Sequence, residues 1–396
     1  MHRLEGALQR YDWGSRTSMP ELLGAQPDGR PWAELWFGTH PGWQTRLAGD
    51  GTLAAHIASD PVRALGEDVV RRFGPDLPFL VKVIAPGQPL SLQVHPDLVR
   101  AEERFAAEEA RGVPRDAVER NYKDTNHKPE MVYALTRYEA VSGFRAPRRA
   151  AEVLAGLDSD LARRMRRTLR LNPTRFGIRQ AFSDLVSADT RPSRQEVAEL
   201  VEEVRRRHDA GQSPSPRVDA NVLTMDAAFP GDPGVAASLL LNPVTLQPGE
   251  ALFVPAGAVH AYISGLGIEI MASSDNVLRA GLTAKHVDVP EMLASVDYVA
   301  APPVRPAPEY LSRATRAYYA PVDDFELLVT TVVPQDGRLQ VPGRGPRVAI
   351  VVDGEVTLTS PVGQERLVRG QAVFVGAHER TLAVEGSGTV VLADVP

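Results

Sequence analysis

In Leu90-Ser91-Leu92-Gln93-Val94-His95 the two-residue alternation of an extended strand sends Ser91, Gln93 and His95 to one face and the aliphatic residues to the other. An imidazole nitrogen and a carboxamide oxygen therefore point the same way as possible metal ligands. A histidine that merely occupies a polar strand face is the competing reading of this hexapeptide taken alone. Asn126-His127-Lys128-Pro129-Glu130 places an amide, an imidazole, an ammonium and a carboxylate just before the apolar Met131-Val132-Tyr133. A buried strand there turns Glu130 inward, where it requires a cation or a donor. His260 follows Val254-Pro255-Ala256-Gly257, a turn that ends one strand and reverses the chain, and Tyr262 shares its strand face. Such an arrangement suits the mouth of a ligand-bearing barrel.

Together Gln93, His95, Glu130 and His260 offer two nitrogens and two oxygens, a set suited to zinc with an open position for water or substrate. Only Glu130 is charged, so Zn²⁺ there would keep a net charge of about +1 and favour an oxyanion. Arg279 and Lys285 flank a turn at Gly281 and can supply a phosphate clamp, one as a planar fork and the other as a point charge.

Short strands must position these groups. Residues 78–94 read as two strands around a Pro-Gly turn, followed by a helix capped by Asp97 with Leu98, Ala101, Phe105 and Ala106 as its buried stripe. From Pro147 the pattern turns helical, with Val153, Leu154, Leu157, Leu161, Met165 and Leu169 beneath an arginine-rich face. A capping box at Ser193 and Glu196 then precedes Val197, Leu200, Val201 and Val204. The arginines at 163–170 and 205–207 could bind phosphate but read more readily as solvated helix faces. Residues 212–216 read as a linker, short strands of an antiparallel sandwich or barrel resume after 220, and the proline-rich stretch from Pro302 to Pro308 marks a boundary. Gly249-Glu250-Ala251-Leu252-Phe253-Val254 returns as Gly370-Gln371-Ala372-Val373-Phe374-Val375, and the same shift carries His260 onto Thr381. His378 does not fill that register. The repeat implies two related sandwiches, with the chemistry in the first and packing in the second.

At 396 residues and 43% hydrophobic content the chain can bury several cores. Its net charge of −6 disfavours nucleic acid and anionic membranes, and no run of about 18 apolar residues is present. The absence of cysteine excludes disulfides, thiolate nucleophiles and Cys-ligated metals, and suits a cytoplasmic protein. The only lysines are Lys82, Lys123, Lys128 and Lys285, so lysine is either reserved for sites needing a compact ammonium or scattered by chance. Lys82 alone reads as chance.

These segments resemble the type I phosphomannose isomerases, zinc enzymes of the cupin superfamily. The resemblance is carried by Gln9-Arg10-Tyr11-Asp12-Trp13-Gly14, Ala33-Glu34-Leu35-Trp36-Phe37-Gly38-Thr39-His40-Pro41, residues 90–97, residues 121–131 and residues 254–288, including Ser274-Asp275-Asn276-Val277-Leu278-Arg279-Ala280-Gly281. It implies a mainly β chain of two cupin-type jelly-roll sandwiches with an α-helical insertion. Residues 1–146 and 218–301 would form the zinc-binding unit, 147–217 the insertion, and 302–396 a C-terminal cupin-like sandwich without metal ligands.

By the same resemblance, one Zn²⁺ per chain sits on Gln93, His95, Glu130 and His260, and the substrate is a small phosphosugar. The implied reaction interconverts mannose 6-phosphate and fructose 6-phosphate through ring opening and a cis-enediol, with zinc polarising the C1 and C2 oxygens. Arg279 is implied as catalytic, with Glu269, Lys128 and Tyr262 around the substrate. Asp12, Trp13, Ser91 and Lys285 carry over as pocket or phosphate-side residues. Glu269 is the favoured base because Gly267-Ile268-Glu269-Ile270-Met271 sets one carboxylate among apolar neighbours, where burial raises its pKa. Lys128, or a water on the metal, is the alternative. Two other classes remain open at this point: a cupin oxygenase holding iron, which would want more histidine, and a silent sugar-binding cupin, which would need no proton-transfer group.

Overall fold

Short β-branched and apolar runs separated by glycine and proline form three antiparallel sheets in a computed structural model that describes residues 1–49 and 51–396. The six-stranded sheet runs in the order Ala251–Val254, Glu130–Ala134, Gly267–Ala272, Phe79–Ile84, Glu34–Phe37, Ala7–Gln9. Facing it is a five-stranded sheet in the order Leu278–Gly281, Leu92–Val94, His260–Ser264, Tyr138–Phe144, Leu241–Leu246. The two strands expected across residues 78–94 exist but lie in different sheets. The Pro86-Gly87 turn between them hands the chain from one layer to the other, pinned by the Gly87 N–H to the Trp13 carbonyl at 2.8 Å. A side chain at Gly87 would meet the Gly14 carbonyl oxygen at 3.1 Å, tighter than an ordinary contact, so the close approach of these two turns favours glycine.

Each sheet buries its outward face in a large apolar core. On the six-stranded sheet Phe37, Val81, Val83, Met131, Phe253, Ile268 and Ile270 join Phe325, Leu327, Val348, Ile350 and Phe374 of the last domain. On the five-stranded sheet Leu92, Val94, Val141, Ala261 and Leu278 join the helices through Leu154, Leu161, Met165, Leu169, Val197 and Leu200. Full burial of such a side chain stabilises by about 1.5–3 kcal/mol. Two outer cores of this kind leave the inward faces free to carry polar groups that no folding requirement would place there.

The helical segment begins as expected, and Val153, Leu154, Leu157, Leu161, Met165 and Leu169 are all buried, though Leu154 and Leu157 lie between the helices Pro147–Val153 and Asp160–Leu171. The capping box is present: the Glu196 N–H donates to Ser193 Oγ at 3.2 Å and the Ser193 N–H to Glu196 Oε2 at 2.8 Å. Three expectations need correction. Strands do not resume after 220: helices Pro216–Ala228 and Pro233–Ala237 intervene, with Pro216 and Pro233 in the first helical turns, where a missing N–H costs nothing, and strand returns at Leu241. In helix Leu98–Ala110, which Asp97 does cap through the Arg100 N–H at 2.7 Å, Leu98 and Ala106 are exposed and Glu108 is buried instead, accepting the backbone N–H groups of Asn121 and Tyr122. Arg207 is not solvated but buried against Asp219, with Nε donating to Oδ2 at 2.7 Å.

The ten-stranded sheet holds the C-terminal region, with the chain's first strand, His2–Glu5, added alongside Ala372–Val375 in the register His2↔Phe374. The sequence repeat is a structural repeat. Ala251–Val254 and Ala372–Val375 are both fully buried strands, with Phe253 and Phe374 in the core shared by the two sandwiches. Among the described residues no helix is long and apolar enough to cross a membrane.

Candidate metal centre and active site

Strand register brings the polar residues together. In the five-stranded sheet Gln93 pairs with both His260 and Arg279, and His260 also pairs with Ser142. In the six-stranded sheet Lys82 pairs with both Trp36 and Glu269, while Glu130 pairs with Met271 and Val254. Directly opposed residues share a face, so each sheet presents a polar row to the other.

His95, Glu130 and His260, all buried, bring ligand atoms within 4.8 Å of one another. His95 Nδ1 lies 2.9 Å from the Asn276 carbonyl and His260 Nδ1 lies 3.0 Å from the Ala258 carbonyl. A carbonyl only accepts, so Nδ1 carries the proton in both rings and Nε2 is left with its lone pair when the ring is neutral. Burial, against the pull of Glu130, holds the His95 pKa down to about 4. Both Nε2 atoms lie 3.3 Å from Glu130, His95 against Oε1 and His260 against Oε2, and His95 Nε2 is buried with no hydrogen-bond partner. Lone pairs aimed at a carboxylate repel it unless a cation lies between. The donor set therefore fits a metal ion. Gln93, paired with His260 across the sheet, donates from Nε2 to Ser91 Oγ at 3.1 Å, and its Oε1 takes no part in that bond.

Lys128 is buried against Glu130 Oε1. The Glu130 carboxyl meets a large desolvation cost, yet the Lys128 charge and the two imidazoles hold its pKa well below the usual carboxylate range. Across the same sheet Glu269 is buried, and burial followed by the Glu130 charge pushes its carboxyl up to about 7 against the pull of Lys82 and Lys128. The Tyr262 hydroxyl is buried with no hydrogen-bond partner, and its ring packs edge-on against Tyr138 at 5.5 Å.

Sequence reasoning missed Lys82. It is buried between two carboxylates, with Nζ 3.3 Å from Glu34 Oε1 and 3.7 Å from Glu269 Oε2, and lies 4.4 Å over the Trp36 ring. Burial alone would lower its pKa, but Glu34 and Glu269 outweigh that and keep the ammonium charged. The lysine scarcity was a usable signal; a lone ammonium within the apolar strand Phe79–Ile84 needs a partner on a neighbouring strand. His40, donating from Nε2 to Asp275 Oδ2 at 2.5 Å while its Nδ1 accepts the Gly42 N–H, was also missed.

Arg279 is half-buried, and Lys285 is exposed with its ammonium 5.8 Å over the Tyr11 ring. Desolvation and then the Arg279 and Lys123 charges pull the Lys285 pKa down. Tyr11 stacks on the partly buried Trp13 at 5.7 Å, and Trp13 packs against the apolar cluster of Val254 and Tyr262. Asp12 is exposed on the turn closed by the Gly14 N–H to the Tyr11 carbonyl and is not drawn into the buried cluster.

Residues 1–147 match the family Phosphomannose isomerase type I, catalytic domain. Mannose-6-phosphate isomerase of Escherichia coli (strain K12) is 37% identical over 401 residues, covering 98% of each chain. The human protein of the same name is 32% identical over 409 residues, covering 95% of this chain and 93% of its own. Among solved structures, a mannose 6-phosphate isomerase bound with zinc and yttrium superposes with a TM-score of 0.89 at 35% identity, covering 100% of this chain and 99% of that one. An alanine variant of phosphomannose isomerase from Salmonella typhimurium reaches 0.90 at 35% identity, with the same coverage. With a likeness that spans both sandwiches and the helices between them, the chain belongs to the type I phosphomannose isomerase family.

Proposed function

We propose that this protein interconverts mannose 6-phosphate and fructose 6-phosphate through a cis-enediol, with one zinc ion on Gln93, His95, Glu130 and His260. The observation that carries the reading is the pair of lone-pair-bearing imidazole nitrogens set 3.3 Å from Glu130, with the buried Glu269 on the neighbouring strand. The names of the relatives supply the substrate, and the zinc-bound solved structures support the choice of metal. Zinc held there supplies Lewis-acid polarisation of the sugar's C1 and C2 oxygens.

The remaining work falls to the chain's own groups. Glu269 accepts the carbon-bound proton at one of C1 and C2 and returns it at the other; a pKa near neutrality lets one carboxylate do both. Lys82 orients that carboxylate from 3.7 Å and stays charged. Lys128 holds Glu130 and presents an ammonium beside the reacting oxygens. Arg279 grips oxygens with a planar fork, and Lys285 meets the phosphate at the rim. Ser91 orients Gln93, the unpartnered Tyr262 hydroxyl offers a donor, and Trp13 with Asp12 forms the wall on the phosphate side. A silent sugar-binding sandwich would not need Glu269, and its burial among charges favours catalysis over binding alone. The last sandwich contributes packing, and a cytoplasmic location suits a cysteine-free chain.

Turnover in D₂O tests the reading. The expected result is conversion of mannose 6-phosphate with deuterium appearing at C1 of fructose 6-phosphate or C2 of mannose 6-phosphate. A zinc-loaded protein without turnover would contradict the function. Near-normal turnover by Glu269→Gln would move the base to another group.

A further inference from the structure

Asn276 lies in the loop between strands Gly267–Ala272 and Leu278–Gly281 and is fully buried, yet it has no part in the chemistry assigned to the substrate-facing groups. Its backbone carbonyl accepts the Nδ1 proton of His95 at 2.9 Å. Its carboxamide oxygen accepts the N–H groups of Lys123 at 2.8 Å and Asp124 at 3.4 Å. Its Nδ2 donates to the Asp124 carbonyl at 2.9 Å, to Asp124 Oδ1 at 3.1 Å and to the Asn126 carbonyl at 2.8 Å. The segment held by the carboxamide runs directly into Lys128 and Glu130. One side chain thus clamps the loop that delivers one proposed ligand, while its own main chain fixes the ring of another from a different sheet.

We propose that Asn276 is a positioning residue of the metal centre, setting the spacing of His95 and Glu130 by joining the 273–277 loop to the 123–126 loop. The inference rests on the proposed metal site. Shape alone does not explain this residue: the part-buried loop carbonyls of Asp124 and Asn126 take a donor, and the N–H groups of Lys123 and Asp124 take an acceptor, both of which a carboxamide supplies in one planar group. Aspartate at this position would keep the acceptor but turn the donor into a second carboxylate facing Asp124 and two carbonyls. The two loops would then repel at the place where they now join.

The test measures zinc loss from the loaded protein to a chelator, with the visible spectrum of the cobalt-substituted protein as a second readout. Substitution of Asn276 leaves the carbonyl that orients His95 in the chain but removes the carboxamide that holds its loop in place, and loss of such outer support to metal ligands costs about 10–100-fold in metal affinity. Asn276→Ala and Asn276→Asp should release zinc at least tenfold faster, with shifted cobalt bands and a lower kcat at nearly unchanged KM. Leu392→Ala, in the apolar interior of the last sandwich, destabilises without touching the clamp and should leave release rate and spectrum at parental values. If the Asn276 variants do not fold, Ser274→Ala removes a hydroxyl that donates to Asp124 Oδ1 at 2.8 Å in the same junction and should speed release severalfold. Parental release and spectrum in a folded Asn276 variant, or in Ser274→Ala if that is the one that folds, would overturn the role of Asn276. A parent that binds neither zinc nor cobalt would overturn the metal site itself.

Discussion

The two sandwiches use the same buried strand to opposite ends. Ala251–Val254 and Ala372–Val375 both turn Ala and Phe toward the shared core and Leu/Val or Val/Val toward their own interiors. In the second sandwich that interior is a continuous apolar cluster built by Leu328, Ala349, Val351, Leu358, Val373, Val375, Val384 and Leu392. The first surrounds a smaller apolar cluster with Glu34, Lys82, Glu130, Glu269, Lys128, His95 and His260, all buried. The last sandwich also buries Arg347, Glu379 and Asp394, so burial of charge alone does not separate the two; what marks the first is a histidine–carboxylate–histidine cluster with ligand atoms within 4.8 Å of one another, beside the buried Lys82 and Lys128. The chain also takes different paths beyond the repeated strand. Val254 leads through Gly257 into the strand that bears His260, whereas Val375 leads into the one-turn helix Ala377–Glu379, where His378 bonds the Arg63 carbonyl at 3.1 Å.

That contrast predicts that damage to the two interiors is separable. His260→Ala or Glu130→Ala should lower zinc occupancy sharply and activity by orders of magnitude while the last sandwich stays folded, as judged by metal analysis and thermal unfolding. Retention of full zinc and activity would remove the residue from the ligand set. Arg279→Lys keeps the charge but loses the fork, so kcat/KM should fall on the order of a hundredfold with zinc content unchanged. Leu392→Ala in the second interior should do the reverse, costing about 2–5 kcal/mol in denaturant unfolding with zinc content and kcat intact.

The pH profile sharpens the comparison further. A base must be unprotonated, so kcat should rise about tenfold per pH unit toward a limb above the ordinary glutamate range, given a Glu269 pKa pushed up to about 7 by burial and Glu130. Lys82→Met removes a positive charge that lowers that pKa, so the limb should move to higher pH; a limb left in place would disconnect Lys82 from Glu269. The smallest effect is expected where the second sandwich touches the first. His127 Nε2 meets the buried Asp324 at 3.1 Å, next to Lys128, and Asp324→Asn should change kcat only a few-fold.

The proposed ligands were legible because each sits in or beside a short strand whose alternation or turn is local: Gln93 in one with His95 just past its end, Glu130 at the start of another, His260 after a Gly turn. The repeat was legible for the same reason. Features that sequence hinted at or hid depend on partners far along the chain. Lys82 reads as an isolated ammonium until strand pairing sets it between Trp36 and Glu269. Leu98 and Glu108 exchange the burial that periodicity assigns them because Glu108 caps backbone N–H groups of the 121–122 segment. Helix Pro216–Ala228 was hidden behind its own prolines, which punctuate a linker and open a helix equally well.

The most direct test of the central claim, that a metal held in the first sandwich performs the isomerisation, is a coupled assay of mannose 6-phosphate conversion before chelation, after chelation and after zinc is restored. Activity should disappear with the metal and return with one zinc per chain, while thermal unfolding shows the second sandwich intact throughout. Undiminished conversion by protein verified to be metal-free would contradict it.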